Sequence, residues 1–360
     1  MIFDKAINFN NKRIFIISGK KSFNKSGIKK QLKFSNCQIY YYFKKKRNPE
    51  FDELKKIIEK KFFFKPDIIV GIGGGSVLDL AKLAVSIKSK KIDKNKISKI
   101  KFFKKCKLIL VPTTAGSGSE ATNFAVLYIG NKKISISSNQ MFPNQIFYFS
   151  NSLNKLKKIS KISAALDILC QAVESMFSTK SNRVSLSYSR KSIMLLQKNM
   201  KLYFKKNSPK INKEMFCAAN FSGRAIKITK TNVPHALSYF LSSFYKIQHG
   251  LSVFINLYGF LYFLYSKRYE SKFLENRTSK LFLYFKVKYD SKNSFQTLIN
   301  KINKMVSVTL NYKKLNINRK KNIKKIINAV NLERLQNCPI NINNKDLENI
   351  ILYESKNKNL

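Results

Sequence analysis

One segment constrains the 360-residue chain more than any other: Pro66-Asp-Ile-Ile-Val-Gly-Ile-Gly73-Gly74-Gly75-Ser76-Val-Leu-Asp79. An unbroken apolar run leads into three glycines. Apolar residues then recur at 77, 80, 81, 84 and 85. This is the pattern of a fully buried strand, a tight turn and an amphipathic helix. Glycines let the backbone approach a ligand with no Cβ in the way, and the amides that open the following helix face an anion. Ser76 can cap that helix or donate to a phosphate oxygen. Gly73, Gly74, Gly75 and Ser76 are therefore candidate phosphate-binding residues. The spacing is not GxGxxG and the motif follows the third strand of the pattern, which argues against the standard Rossmann unit.

The same rhythm extends on both sides. Strands are expected at Arg13–Ser18, Gln38–Phe43, Asp67–Gly71 and Lys107–Pro112, with helices at Glu50–Lys61 and Ser76–Ser86. Such alternation predicts an α/β domain with a doubly wound parallel sheet. After the fourth strand comes Pro112-Thr113-Thr114-Ala-Gly-Ser117-Gly-Ser-Glu120, a second turn of hydroxyls and exposed amides. Two such turns on the C-terminal edge of one open sheet mark a binding crevice and point to a bound dinucleotide. Residues 124–149 read as a short β excursion. From about 151 helical patterns take over, so residues 1–150 are expected as the α/β dinucleotide-binding domain and 151–360 as an all-helical metal and substrate domain. The stretch 310–330 reads as an exposed helix with loops, and no internal repeat is present.

Composition narrows the classes. No apolar run approaches the roughly 18 residues of a membrane span; Leu251–Tyr265 is short, carries Ser252 and Asn256, and reads as one buried helix. The N-terminus enters a strand without a signal-peptide layout. Five scattered cysteines, at 37, 106, 170, 217 and 338, form no CxxC pair, and a reducing cytoplasm is the expected location. The formal net charge of +51, from 70 basic and 19 acidic residues, invites a nucleic-acid reading. Only nine of the basic residues are arginine, and the chain is rich in Phe and Tyr with no Trp. Lys, Phe and Tyr are written with A/T-rich codons, so coding bias accounts for most of the excess. A dedicated nucleic-acid binder uses more Arg.

Two histidines survive in this composition, His235 and His249. Asp167 and Gln171 lie at i and i+4 on one helix face upstream, and an Asp in so apolar a helix needs a partner. A divalent cation held by Asp167, Gln171, His235 and His249 would supply one; a salt-bridged Asp167 and a solvent-facing Gln171 are the alternative.

The ordered set Gly73-Gly-Gly-Ser76 with Asp79 and Lys82, Pro112 to Glu120, Asp167…Gln171, His235 and His249-Gly250 resembles the iron-containing (type III) alcohol dehydrogenase family over nearly the whole chain. The resemblance implies a dinucleotide-binding α/β domain and a helical metal domain, with the active site in the cleft between them. It implies NADPH or NADH at Gly73, Gly74, Gly75, Ser76, Asp79, Thr113, Thr114 and Ser117, with Lys133 near the cofactor. It also implies a divalent metal, Fe2+ first with Zn2+ or Mn2+ as alternatives, and a homodimer. Most members have His where this chain has Gln171. A subgroup resembling phosphonoacetaldehyde reductase shares the Gln in a segment similar to Leu166–Ser175, and a second similar stretch runs from Ser222 to Tyr239. That likeness implies reduction of phosphonoacetaldehyde to 2-hydroxyethylphosphonate, the metal acting as a Lewis acid on the aldehyde.

A phosphonate wants cations. Residues 224, 227, 231 and 235 share a face if one helix runs through them, which makes Arg224 or Lys227 the expected clamp. With no third histidine, no protein acid is assigned. The second strand ends without an acid and is followed by Lys44-Lys-Lys-Arg47, which tilts the cofactor toward NADPH. The alternatives are another small aldehyde or alcohol and, from a different class, a basic nucleic-acid-binding protein on a retired scaffold.

Overall fold

A computed structural model describes residues 1–97, 102–103, 106–130, 132–289, 293–307, 319–330 and 332–353. The chain divides into two compact units, Met1–Lys157 with Asn207–Phe216, and Lys158–Lys206 with Cys217–Leu360.

The first unit carries strands β1 (Ile2–Phe3), β2 (Ile7–Asn10), β3 (Arg13–Gly19), β4 (Leu32–Ser35), β5 (Gln38–Lys44), β6 (Ile68–Gly73), β7 (Lys107–Pro112), β8 (Phe124–Ile129), β9 (Lys132–Ser137) and β10 (Gln145–Tyr148). Its helices are α1 (Lys20–Lys25), α2 (Phe51–Phe64) and α3 (Gly75–Ser86). Six strands form a parallel sheet in the order β1-β10-β7-β6-β3-β5. Successive side chains point to opposite faces. Ile14, Ile16, Val70, Ile72, Ile109 and Val111 therefore meet Phe23 and Ile28 on one side. Phe15, Ile17, Ile69, Leu108 and Leu110 pack on Leu54, Ile57, Leu78 and Ala81 of α2 and α3 on the other. Both faces are covered, which is why these strands read as continuous apolar runs.

The strand order reverses beside β3. The chain goes from β3 outward to β5, then returns to lay β6 on the other side of β3. A crevice opens at such a switch point, outside the C-terminal strand ends. Gly19 and the Gly73–Gly75 turn border it. The expected β excursion at 124–149 divides in two. β8 and β9 are an antiparallel hairpin, whereas β10 joins the main sheet beside β7.

The second unit is helical: α4 (Lys158–Met176), α5 (Arg183–Lys205), α6 (Pro209–Thr229, whose first residues group with the first unit), α7 (Val233–Ser243) and α8 (His249–Phe254). Further helices cover Leu257–Ser266, Lys272–Tyr284, Ser294–Val306, Arg319–Asn328, Leu332–Leu335 and Asn344–Leu352. The α4 helix is central: from Lys161 to Met176 every residue but Ala164 is buried. The single helix expected over Leu251–Tyr265 is two, broken at Ile255-Asn256, where the Asn256 amide turns back to donate to the Ser252 carbonyl at 3.1 Å. Of the stretch 310–330, residues 310–318 lie outside the described residues, and Arg319–Asn328 is a helix. Among the described residues no helix is long and apolar enough to cross a membrane. Lys82 and Lys161 are the only buried lysines among them, so the basic excess lies on the surface.

Candidate functional site

The two turns on the sheet edge are built against each other. β6 and β7 are neighbours in register, Gly73 opposite Pro112, and the Thr113 amide donates to the Gly73 carbonyl at 2.9 Å. A Cβ on Gly75 would lie 2.7 Å from Ser117 Oγ, so any side chain there would force Ser117 to shift. Gly74 caps α3 with extended backbone, and its carbonyl accepts from Val77 and Leu78. The earlier amides of the turn have no partner within the helix and remain available to an anion. Ser76, Thr114 and Ser117 are half-buried beside them, and Thr113 is buried.

Asp79, expected at the cofactor, has both carboxylate oxygens engaged inside the protein. Ser119 Oγ donates to Oδ1 at 2.6 Å and the Val126 amide to Oδ2 at 3.1 Å. Fully buried Lys82 donates to Ser119 O, Ser119 Oγ and Thr122 Oγ1 at 2.8, 3.1 and 2.8 Å, and lies 3.8 Å from Asp79. Burial pushes the Asp79 pKa up, against the opposing pull of Lys82, Ser119, Val126 and Lys133. Together Asp79 and Lys82 fasten α3 to the turn after β7, so they shape the edge from behind. Half-buried Lys133 is paired across the hairpin with Tyr128 and lies 6.0 Å from its ring centroid. At the end of β5, the Lys44 ammonium donates to the carbonyls of Lys46 and Arg47. Burial draws its pKa down, against Glu53 and Glu50. Buried Glu53 accepts from the amides of Lys45 and Lys46 at 2.6 and 3.3 Å, so an acid from α2 does stand at this loop.

In the second unit, α4 offers Ser163, Asp167, Gln171 and Glu174, spaced to share one face. α6 ends where Lys230 takes a left-handed conformation, φ 61°. Asn232 then caps α7, its side chain accepting from the Val233 amide at 2.9 Å, with Pro234 in the first turn. This break delivers His235 to α4. Its Nδ1 is 2.6 Å from Glu174 Oε1, and its Nε2 is 3.3 Å from Asp167 Oδ1. His249 opens α8 with Nε2 3.9 Å from the same Oδ1. One donor atom from each of Asp167, His235 and His249 lies within 4.8 Å of the others. A Cβ on Gly250 would fall 1.8 Å from the Ser163 carbonyl oxygen, so α8 seats on α4 only because residue 250 is glycine.

The hydrogen bonding fits a cation. With Nδ1–H donated to Glu174, Nε2 presents a lone pair toward Asp167 Oδ1, which is buried and has no hydrogen-bond partner. Two acceptors facing each other need a positive ion between them. Without a metal a proton serves. Burial alone would lower the His235 pKa, but the Glu174 charge and the bonds to Asp167 and Glu174 raise it. Burial would raise that of Asp167, but His249, His235 and the Gln171 amide hold it below the ordinary carboxylate value. Gln171, 2 % exposed, accepts from Ser222 Oγ at 2.8 Å through Oε1. The donor set of one carboxylate and two imidazoles suits a divalent transition metal.

Glu174 is a site residue that the sequence pattern leaves unassigned. Its position seven residues after Asp167 was the available signal. Glu174 is fully buried and also accepts from the Asn232 amide at 2.5 Å, joining α4 to the start of α7. Glu174→Gln keeps the shape but removes the charge that fixes the tautomer. We expect metal affinity to fall about 10–100-fold, measured by competition with a chelator; unchanged affinity would remove Glu174 from the site.

Arg224 and Lys227 do not share a face with His235, because α6 stops at Thr229 and α7 is a separate helix. Both are exposed, while Ser222, on the same helix, is buried toward Gln171. Arg224 instead lies 5.7 Å from the Tyr188 ring.

The chain belongs to the iron-containing alcohol dehydrogenase family: residues 3–149 match the family itself, and residues 161–354 match the C-terminal region of the Fe-containing alcohol dehydrogenases. Over 269 residues it is 26 % identical to the bifunctional aldehyde-alcohol dehydrogenase of Escherichia coli K12, which covers 69 % of this chain and 30 % of that protein. Over 203 residues it is 28 % identical to the phosphonoacetaldehyde reductase of Streptomyces viridochromogenes, 52 % of this chain and 50 % of that one. These matches thus span half or less of the relatives' lengths. In fold it is similar to an iron-containing alcohol dehydrogenase of Thermotoga maritima, with a TM-score of 0.75 at 23 % identity over 94 % of this chain and 90 % of that chain.

Proposed function

We propose that the protein is a metal-dependent, NAD(P)H-linked oxidoreductase that interconverts a small aldehyde and its alcohol. The observation that carries this reading is the buried pair of acceptors, His235 Nε2 and Asp167 Oδ1, 3.3 Å apart with His249 beside them. Asp167, His235, His249 and Gln171 would hold the ion. When bound, the metal supplies a Lewis acid for the aldehyde oxygen and the nicotinamide supplies the hydride.

The chain's own residues do the rest. Asp167 supplies the one negative charge of the set. Glu174 keeps the proton of His235 on Nδ1, so that Nε2 remains a donor toward the ion. On the sheet edge, the Gly73–Ser76 amides and the hydroxyls of Thr113, Thr114 and Ser117 receive the cofactor phosphates. Lys82 and Asp79 hold that edge rigid.

Within this class, phosphonoacetaldehyde is the substrate we propose. The similarity to the Streptomyces enzyme supports it, as do the stretches Leu166–Ser175 and Ser222–Tyr239. Arg224 or Lys227 could serve a phosphonate only by reaching round from the exposed face of α6. For the cofactor we propose NADPH, the cations Lys45, Lys46 and Arg47 after β5 favouring a 2′-phosphate.

The test combines elemental analysis of the purified protein with oxidation of NADPH and NADH on phosphonoacetaldehyde and on butanal. Bound Fe, Mn or Zn near one per chain with higher kcat/KM on the phosphonate supports the full reading. Butanal turnover without phosphonate turnover moves the substrate to neutral aldehydes. A strong NADH preference overturns the cofactor choice. A metal-free protein that turns over neither aldehyde after metal loading overturns the class.

A further inference from the structure

We propose that Ser222 is a positioning residue that holds the Gln171 amide for the metal. The proposal rests on the reading of Asp167, Gln171, His235 and His249 as a metal centre. Ser222 is fully buried on α6, and its hydroxyl touches two carbonyl oxygens, Gln171 Oε1 at 2.8 Å and Ala219 O at 3.0 Å. A hydroxyl has one proton, so it serves one of them at a time. The Gln171 amide also helps to lower the Asp167 pKa.

Half a turn of the Gln171 amide about its last side-chain bond lets the Ser222 hydroxyl serve both of its neighbours at once. Nε2 then donates to Ser222 Oγ, Ser222 donates to Ala219 O, and Oε1 turns toward the Asp167 side as an oxygen donor for the ion. The hydroxyl accommodates both positions because it donates in one and accepts in the other. The amide nitrogen faces Asp167 when that carboxylate has no metal, and the amide oxygen faces the ion when it does. An ion drawing on Oε1 makes Nε2–H a stronger donor, so the Ser222 contact strengthens on binding. Loss of the hydroxyl therefore costs the metal-bound state more than the metal-free one.

The experiment is a double-mutant cycle on Co2+ affinity, read by chelator competition and by the visible absorption of the bound ion, in the wild type, Ser222→Ala, Gln171→Ala and the double variant. Circular dichroism of each metal-free protein checks the fold. Ser222→Ala is expected to weaken Co2+ binding about 10-fold or more, and the loss should vanish when Gln171 is already Ala. Ser222→Cys, close in size but a weak acceptor, should lose affinity in the same direction even if the Ala variant folds poorly. An equal loss in both backgrounds overturns the proposal, as does full affinity in the Cys variant. If Asp167→Asn abolishes binding while Gln171→Ala and Ser222→Ala leave it intact, the metal centre stands and this proposal alone falls. If the wild type binds no Co2+ at an Asp167-dependent site, the metal centre falls and takes the proposal with it.

Discussion

Asp167→Asn should leave a folded protein with almost no bound metal. The substitution keeps the side chain's size and removes the only carboxylate in the group of Asp167, His235 and His249. A divalent ion would then face neutral donors alone in a buried place. Lewis-acid stabilisation is worth several kcal/mol, so aldehyde reduction should fall by about 10^3-fold or more. The thermal shift that added metal gives the wild type should disappear too, since a ligand stabilises only what it binds. Elemental analysis, kcat/KM and melting curves with and without metal read the three effects. Near-stoichiometric metal in the Asn variant would contradict the assignment.

Gly250→Ala should be the most damaging of small substitutions in the second unit. The added methyl would meet backbone rather than a side chain: Ser163 O at 1.8 Å, Ser163 C at 2.8 Å and Asp167 N at 2.9 Å. None of these atoms can turn aside, so α8 must withdraw from α4. Overpacking of this kind costs typically about 1–3 kcal/mol, and a backbone clash belongs at the upper end. At about 2–4 °C per kcal/mol for a unit of this size, the melting temperature should drop by roughly 6–12 °C. His249 would move away with its helix, so metal affinity should fall as well. Unchanged melting and unchanged affinity would show that α8 does not need this close seat.

How much of this was legible depended on how local each cause is. Strands β3, β5, β6 and β7 stood out because burial on both faces writes a long apolar run. β10, with four residues, and β1, with two, carry too little pattern, and only pairing with their neighbours makes them strands. Asp167 and Gln171 could be paired from the i, i+4 spacing of a helix. The helix face drawn from Arg224 to His235 could not survive, because Lys230 adopts a left-handed turn that nothing in a lysine announces. Glu174 and Ser222 were visible as residues and invisible as partners, since what each touches is settled by distances between separate helices. The glycine turn reads as a place for a ligand. That the second turn presses on Gly75 depends on β7 lying beside β6.

Ser163, Asp167, Gln171 and Glu174 all hang from one rigid rod, α4. A helix advances about 100° per residue. One residue inserted between Asp167 and Gln171 would swing Gln171 away from Ser222 and Glu174 away from His235 by a quarter-turn or more, though every side chain remained present. Such a rod holds all four side chains in register only while its length is kept. Over these twelve residues, from 163 to 174, insertions and deletions should be the lethal class of variation, whatever the substitutions around them.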